Sequence, residues 1–214
     1  MSNARRGFFI SFEGGDGAGK SSQITRLAEH LRAQGETVTL TREPGGSAGA
    51  EAIRKLLVEG AADRWGAMSE ALLMYAARAD HLDRVIKPAL ARGEIVISDR
   101  FADSTMAYQG IAGGLGDDAA ARLSDLVVGA HQPDITLILD VPPKVGLARA
   151  GGRGDAENRF ESKGEDYQEK VRQAFLKIAS ENATRCVVID ASADIEKVFS
   201  CVRRAVEMAI RAAR

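Results

Sequence analysis

The stretch FFISFEGGDGAGKSSQITRLAEHLRAQG, residues 8–35, decides the architecture. An apolar run, FFISFE (8–13), enters the glycine-rich segment GGDGAGKSS (14–22), after which Ile24, Leu27, Ala28 and Leu31 recur at i, i+3, i+4 and i+7. That order is strand, loop and amphipathic helix, with Gly35 placed to end the helix. Gly14, Gly19, Lys20 and Ser21 match G-x-x-x-x-G-K-[ST] in the context that gives this pattern meaning. Glycines let successive backbone N–H groups turn inward around phosphate oxygens, and the helix start adds its positive dipole end. Lys20 is expected to reach the β- and γ-phosphates, and the Ser21 hydroxyl to ligate Mg²⁺. The loop residues Gly14, Gly15, Asp16, Gly17, Ala18, Gly19, Lys20, Ser21 and Ser22 are therefore expected to hold a nucleoside triphosphate.

Four more apolar runs follow: TVTLTR (37–42), EIVISD (94–99), ITLILD (135–140) and RCVVID (185–190). Most are nearly continuous rather than alternating, the pattern of strands covered on both faces in a parallel sheet. Helical spacing fills the gaps. SEALLMYAARADHLDRVIKPALARG begins with Ser69 as a cap and carries Pro88, which should kink or split it. GEDYQEKVRQAFLKIASEN and DIEKVFSCVRRAVEMAIRAA supply the last helices. Strands alternating with helices predict an α/β three-layer sandwich, a five-stranded parallel sheet with helices on both faces. Residues 150–164, AGGRGDAENRFESKG, break the periodicity with glycine and charge and read as a mobile loop.

A chain of 214 residues with 45% hydrophobic content is expected to form one domain, residues 1–214. Its 29 basic and 30 acidic residues leave a net charge of -1, which gives no general reason to seek a nucleic-acid polymer. No apolar run approaches the ~20 residues needed to cross a bilayer. MSNARRG lacks the apolar segment of a signal peptide, so a cytoplasmic protein is expected. Cys186 and Cys201 read as buried thiols in a reducing compartment, not as a disulfide. His30, His81 and His131 show no shared metal-site spacing and read as structural.

A phosphate loop does not separate a kinase from a switch or a motor. No N-K-x-D segment, which reads guanine in a switch, is present. A kinase for a small acceptor needs cationic groups for a second phosphate and a lid that excludes water. The third strand ends in ISDRF, which puts Asp99 at the carboxyl edge, where it can hold Mg²⁺ or its waters, and aims Arg100 into the same crevice. A guanidinium fork suits phosphate oxygens. TREPGG, AIRKLL and YAAR add Arg42, Arg54 and Arg78, of which one or two could be surface charge alone. DSTMAYQG adds hydroxyl and amide groups able to read a base edge.

Taken together, FEGGDGAGKSSQ, TREPGG, YAAR, ISDRF with DSTMAYQG, and PDITLILDVPP resemble the bacterial thymidylate kinases, P-loop kinases of the nucleoside monophosphate group. The resemblance runs from about residue 8 to the C-terminal helix. It implies an enzyme that makes dTDP from dTMP and ATP with Mg²⁺, for dTTP synthesis, in a five-stranded parallel fold that is usually a homodimer. The apolar faces of the YAARADHL and DSTMAYQG helices are the dimer candidates it implies.

By the same resemblance Asp16 contacts the sugar 3′-hydroxyl, Glu43 and Pro44 shape the acceptor pocket, and Arg54 and Arg100 approach the dTMP phosphate. Arg78 meets the thymine carbonyl, while Thr105 and Gln109 line the base, Gln109 at its amide edge. Two positions depart from the family pattern. Met74 stands where a phenylalanine usually stacks on thymine, and it could equally be a core filler; Phe101 stands where the family has a polar residue. Gly17 occupies the place where some members carry an arginine in the phosphate loop, so the lid is expected to supply that charge. Arg153 matches the lid arginine, with Arg149, at the ATP side, and Arg159 as alternatives. The catalytic set implied is Lys20, Arg100 and Arg153. Another nucleoside monophosphate kinase, or a nucleotide-binding switch without transfer activity, are the competing readings.

Overall fold

A computed structural model describes residues 6–61, 63–150 and 164–214. Five strands, β1 (Phe8–Glu13), β2 (Val38–Arg42), β3 (Ile95–Asp99), β4 (Ile135–Asp140) and β5 (Cys186–Asp190), pair in parallel in the order β2-β3-β1-β4-β5. The register sets Ile10 beside Ile97 on one side and Ile135 on the other. Every residue of β1 is buried, and β3 and β4 are buried up to their last residues, Asp99 and Asp140. Continuous apolar runs therefore belong to the three inner strands. The edge strands differ: β2 leaves Leu40 and Arg42 exposed, and β5 leaves Val187 and Val188 exposed.

Period-two side-chain geometry sorts β1 onto two faces. Phe8, Ile10 and Phe12 pack with Leu27 and Leu31 of α1 (Lys20–Ala33) and Val202 and Val206 of α9 (Ile195–Ala213). Phe9 points the other way, among Tyr75 of α3 (Ala67–His81), Ile86, Val96 and Phe101. Helix α8 (Glu165–Glu181) covers Ile138 on that side through Phe175 and Ile178. Helices thus cover both faces, as the alternation of elements predicts. α2 (Ala48–Val58), α4 (Lys87–Ala91), α5 (Ala102–Thr105), α6 (Asp117–Val127) and α7 (Pro143–Ala150) complete the described helices.

Two local readings change in detail. α3 starts at Ala67, with Glu70 N–H donating to Gly66 O at 3.0 Å, so Ser69 lies inside the first turn and does not cap it. The split at Pro88 is present, but it starts earlier. Pro88 has no N–H to return to the preceding turn, and the chain answers with a π-helical stretch, Leu82–Ile86, in which Lys87 N–H reaches Leu82 O before α4 begins. A second π-helical stretch, Met106–Ile111, follows α5 and carries the AYQG residues.

Under α5 the buried Asp103 carboxylate receives both arms of Arg185, at 2.7 and 2.8 Å, and Arg185 also donates to Thr136 Oγ1 at 2.9 Å. This fork ties the site-bearing helix to β4 and to the entrance of β5. Arg185→Met would leave Asp103 buried without its counter-charge, and breaking such a pair costs about 3–5 kcal/mol. The expected result is a clear fall in the urea midpoint with an unchanged denaturant slope; a midpoint equal to the parent's would show that the pair contributes nothing.

Candidate active site

The carboxyl ends of β1 and β3 open onto one crevice, and both nucleotide-facing sequences end there. Lys20 is 8% exposed and donates from Nζ to Gly14 O (3.1 Å) and Gly15 O (2.9 Å) at the mouth of the loop. Burial, assisted by the nearby Arg100 charge, lowers its pKa to about 8 against the pull of Asp99, Asp16 and Glu13. Ser21 Oγ donates to Asp99 Oδ2 at 3.4 Å. A hydroxyl and a carboxylate side by side fit Mg²⁺, which takes one or two protein oxygens and completes its shell with phosphate and water. Among the described residues no group of three His, Cys, Asp or Glu side chains offers a denser site.

Position 17 admits no side chain. Gly17 has φ +72°, and a Cβ there would stand 1.9 Å from the Gly146 carbonyl oxygen of α7. The phosphate loop and α7 therefore meet backbone to backbone, and position 17 itself supplies no charge. Arg149, also on α7, donates to Ala191 O at 3.0 Å, which draws the end of that helix to the DASAD segment beyond β5. Arg153, Arg159 and residues 151–163 of the expected lid lie outside the described residues.

Arg100 joins the two halves of the crevice. Its Nη1 donates to Gly14 O (3.0 Å) and Ser104 Oγ (3.1 Å), and its Nη2 to Asp16 Oδ1 (2.6 Å) and Tyr108 OH (3.2 Å). The guanidinium also lies 5.0 Å from the Tyr108 ring centroid. Its backbone is left-handed, φ +68°, a strained state for a non-glycine residue that surrounding bonds must hold. Arg100 N–H donates to Phe12 O at 2.9 Å, and Ser98 Oγ donates to Arg100 O at 2.7 Å. The next amide, Phe101 N–H, donates to Glu13 Oε1 at 2.7 Å.

Glu13 is wholly buried and also accepts from Ser104 Oγ (2.5 Å) and Ser11 Oγ (3.1 Å). Burial, and then the Asp103 charge, push its pKa up to about 7, although the bonds from Ser104 and Phe101 and the Arg100 charge act downward. Glu13, Ser104 and Tyr108 are site residues that the sequence reading missed. Tyr108 sat inside AYQG, so a signal existed for it; Glu13 looked like the polar end of a strand.

The third cluster surrounds Arg78, which is 2% exposed. Its Nε donates to Glu43 Oε2 (2.7 Å), and its Nη2 to Phe101 O and Thr105 Oγ1 (both 3.0 Å). Tyr75 and Phe101 lie 4.7 and 5.2 Å from the guanidinium by ring centroid. Its Nη1 is buried and has no hydrogen-bond partner among the described residues. Phe101 is fully buried, edge-on to Phe9 at 4.9 Å, so this position is part of the core and meets Arg78 with its ring and its backbone carbonyl. Glu43 enters a cis peptide with Pro44, whose carbonyl accepts from Arg54 Nη1 at 2.6 Å. Met74 is half-buried one turn before Arg78. Gln109 is buried with its Nε2 donating to Glu70 Oε1 at 2.8 Å, so its amide is oriented by α3.

A model of the thymidylate kinase family matches residues 12–202. The chain is 58% identical over 197 residues to the thymidylate kinase of Caulobacter vibrioides, covering 92% of this chain and 94% of that one. It is 52% identical to the thymidylate kinase of Ruegeria pomeroyi over 92% of both chains. The crystal structure of thymidylate kinase from Ehrlichia chaffeensis superimposes with a TM-score of 0.76 at 37% identity, covering 94% of this chain and 99% of that one.

Glu13 supplies a test of the site's electrostatics. Its folded pKa is raised from 4.5 to about 7, so its contribution to stability is complete below pH 4.5 and is lost as pH rises through 7. A glutamine there cannot ionise. The melting temperature of Glu13→Gln, measured relative to the parent, should therefore climb across that window; a flat difference would mean that Glu13 ionises as it does in the unfolded chain.

Proposed function

The chain belongs to the thymidylate kinase family and phosphorylates dTMP to dTDP using ATP, and on that premise we propose how its residues divide the work. The phosphate loop, Gly14 to Ser22, takes the ATP phosphates, with Lys20 on the β- and γ-groups and Arg149 at the nucleotide side. Arg100 and Arg54 take the dTMP phosphate, Asp16 the sugar hydroxyl, and Arg78, Thr105 and Gln109 the base, in a pocket shaped by Glu43, Pro44 and Met74. Mg²⁺ held by Ser21 and Asp99 would neutralise charge on the β- and γ-phosphate oxygens.

One observation supports the acceptor assignment above the others. Arg78 Nη1 is a buried, charged donor without a partner among the described residues, and it lies in a wall of Tyr75, Phe101 and Thr105. An unmet buried donor of that kind is destabilising unless a ligand acceptor completes it, and a pyrimidine carbonyl has the right chemistry. The acceptor oxygen of dTMP is already an anionic phosphate oxygen, so no general base is required. Arg100 holds that phosphate towards the loop while Lys20 draws the γ-phosphoryl group from the other side. Charge grows on the equatorial oxygens of the transferring group, and cations held in place meet it with little reorganisation. Gly17 offers none, and the lid arginine, Arg153, completes the set.

Exposed Met68 and Leu72, one turn apart on α3, together with Leu126 on α6, support a homodimer through this side of the molecule. The DSTMAYQG stretch is largely buried within the protomer and offers less surface. Cys186 and Cys201 are unpaired thiols, which suits a cytoplasmic enzyme. One domain carries both substrate sites on this reading.

An ADP-release assay with ATP, Mg²⁺ and each nucleoside monophosphate should give strong turnover with dTMP, weak turnover with dUMP and negligible turnover with CMP, AMP and GMP. Equal rates with AMP or GMP would overturn the base assignment. Arg153→Ala should lower kcat by ~10³-fold, in the range of a removed arginine finger, with a far smaller change in the KM for dTMP; an unchanged kcat would remove Arg153 from the reaction. Light scattering should give twice the 22.8 kDa chain mass, and a monomer would dismiss the α3 surface as an interface.

A further inference from the structure

His81 lies outside every role assigned so far, yet like Glu13 it is fully enclosed, with 0% exposure. It ends α3, three residues after Arg78, and so shares that helix face. Its Nδ1 is 2.9 Å from Glu43 Oε1, while the other carboxylate oxygen, Oε2, accepts from Arg78 Nε at 2.7 Å. A carboxylate beside an arginine accepts only, so Nδ1 carries the hydrogen and donates it. On the far side of the ring, Nε2 is 2.6 Å from Thr41 Oγ1 at the end of β2. A continuous hydrogen-bonded chain, Thr41–His81–Glu43–Arg78, thus runs from the sheet to the Nη1 that has no partner among the described residues.

The TREPGG turn closes around this ring. Gly46 has φ +88°, and a Cβ there would lie 2.5 Å from both His81 Nε2 and Thr41 Oγ1. The turn therefore packs its backbone directly against the Nε2 edge of the imidazole.

We propose that His81 is a positioning residue for the base pocket: by holding one oxygen of Glu43 it keeps the other single-point on Arg78 Nε, so that Nη1 stays available to the pyrimidine carbonyl. The proposal rests on the assignment of Arg78 made above. A carboxylate and a guanidinium left to themselves favour a two-point fork. With Oε1 taken by His81, Glu43 cannot close that fork, and the Nη2 bonds to Phe101 O and Thr105 Oγ1 persist. Without His81, Glu43 competes for the guanidinium head and turns it from the base.

The test is steady-state kinetics on the parent, His81→Leu, His81→Asn, His81→Gln, Arg78→Met and the Arg78→Met/His81→Leu pair. His81→Leu should raise the KM for dTMP roughly tenfold, the loss of one oriented hydrogen bond to a charged group, and leave the KM for ATP within about twofold. His81→Asn, whose amide nitrogen can take the place of Nδ1, should recover most of that loss; His81→Gln, which reaches towards Thr41 instead, should not. In the Arg78→Met background His81→Leu should add nothing, because the two act on one interaction. A KM for dTMP unmoved by His81→Leu, or a further increase in the Arg78→Met background, would overturn the proposal. Should His81→Leu fail to fold, the Asn and Gln pair decides, and equal KM values for the two would also overturn it. An Arg78→Met enzyme with a parental KM would remove the Arg78 assignment itself, and the positioning role with it.

Discussion

Arg100 spans the crevice from the end of β3 to the phosphate loop, and the geometry of the site depends on that span. Its guanidinium touches Gly14 O and Asp16, so the loop following β1 and the turn following β3 become one surface. The parallel pairing of β1 with β3, Phe12 beside Asp99, puts the two ends level. Register alone would not aim the side chain; the left-handed backbone at Arg100 does. A non-glycine residue in that state carries about 1–3 kcal/mol of strain. Bonds to Phe12 O, from Ser98 Oγ, and between Phe101 N–H and Glu13 over-determine the turn. Glu13 is therefore a buried carboxylate serving a strained corner, and its raised pKa is the electrostatic consequence of that placement.

The two arginines of the acceptor side are prepared differently. Arg100 has four acceptors on its two terminal nitrogens, and one of them, Asp16, is a charge. On the proposed reading it must exchange some of these for phosphate oxygens, and the exchange replaces one anion with another at little electrostatic penalty. Arg78 is deeper and has a terminal nitrogen without a partner among the described residues. A group that enters the base pocket completes it without displacing anything. On that reading, phosphate binding by exchange and base binding by completion would give the same cleft a tolerant end and a selective end, because an unmet buried donor penalises a ligand that lacks the matching acceptor.

The legible part of this architecture is the part with short-range causes. Continuous apolar runs marked β1, β3 and β4 because those strands are covered on both faces, and the bounds of β1 and β4 agree to the residue. β2, β3 and β5 each begin one residue later than their apolar runs suggested, at Val38, Ile95 and Cys186, because each run had opened on a polar or charged residue, Thr37, Glu94 or Arg185. Lys20, Ser21, Asp99 and Arg100 were visible because a motif or a strand end locates them. Glu13 was not, because its partner Phe101 N–H lies 88 residues away and is a backbone group, which leaves no trace in side-chain identity. Ser69 misled for the opposite reason: a good capping residue stood three positions inside a helix whose true start is bonded to Gly66 O.

Gly17 imposes a second long-range dependence. The glycine lets Gly146 O approach so closely that any Cβ is excluded, and the reciprocal approach of Gly146 to Asp16 O excludes one too, a Cβ there standing at 2.5 Å. Each backbone is therefore shaped to the other. α7 leads into the segment from which the compensating cation is proposed to come, and Arg149 on the same helix anchors it to Ala191 O. A position without a side chain and a tight seat for α7 are then one feature seen from two sides. On the proposed reading, the position that supplies no cation is also the one that seats the helix leading in sequence towards Arg153.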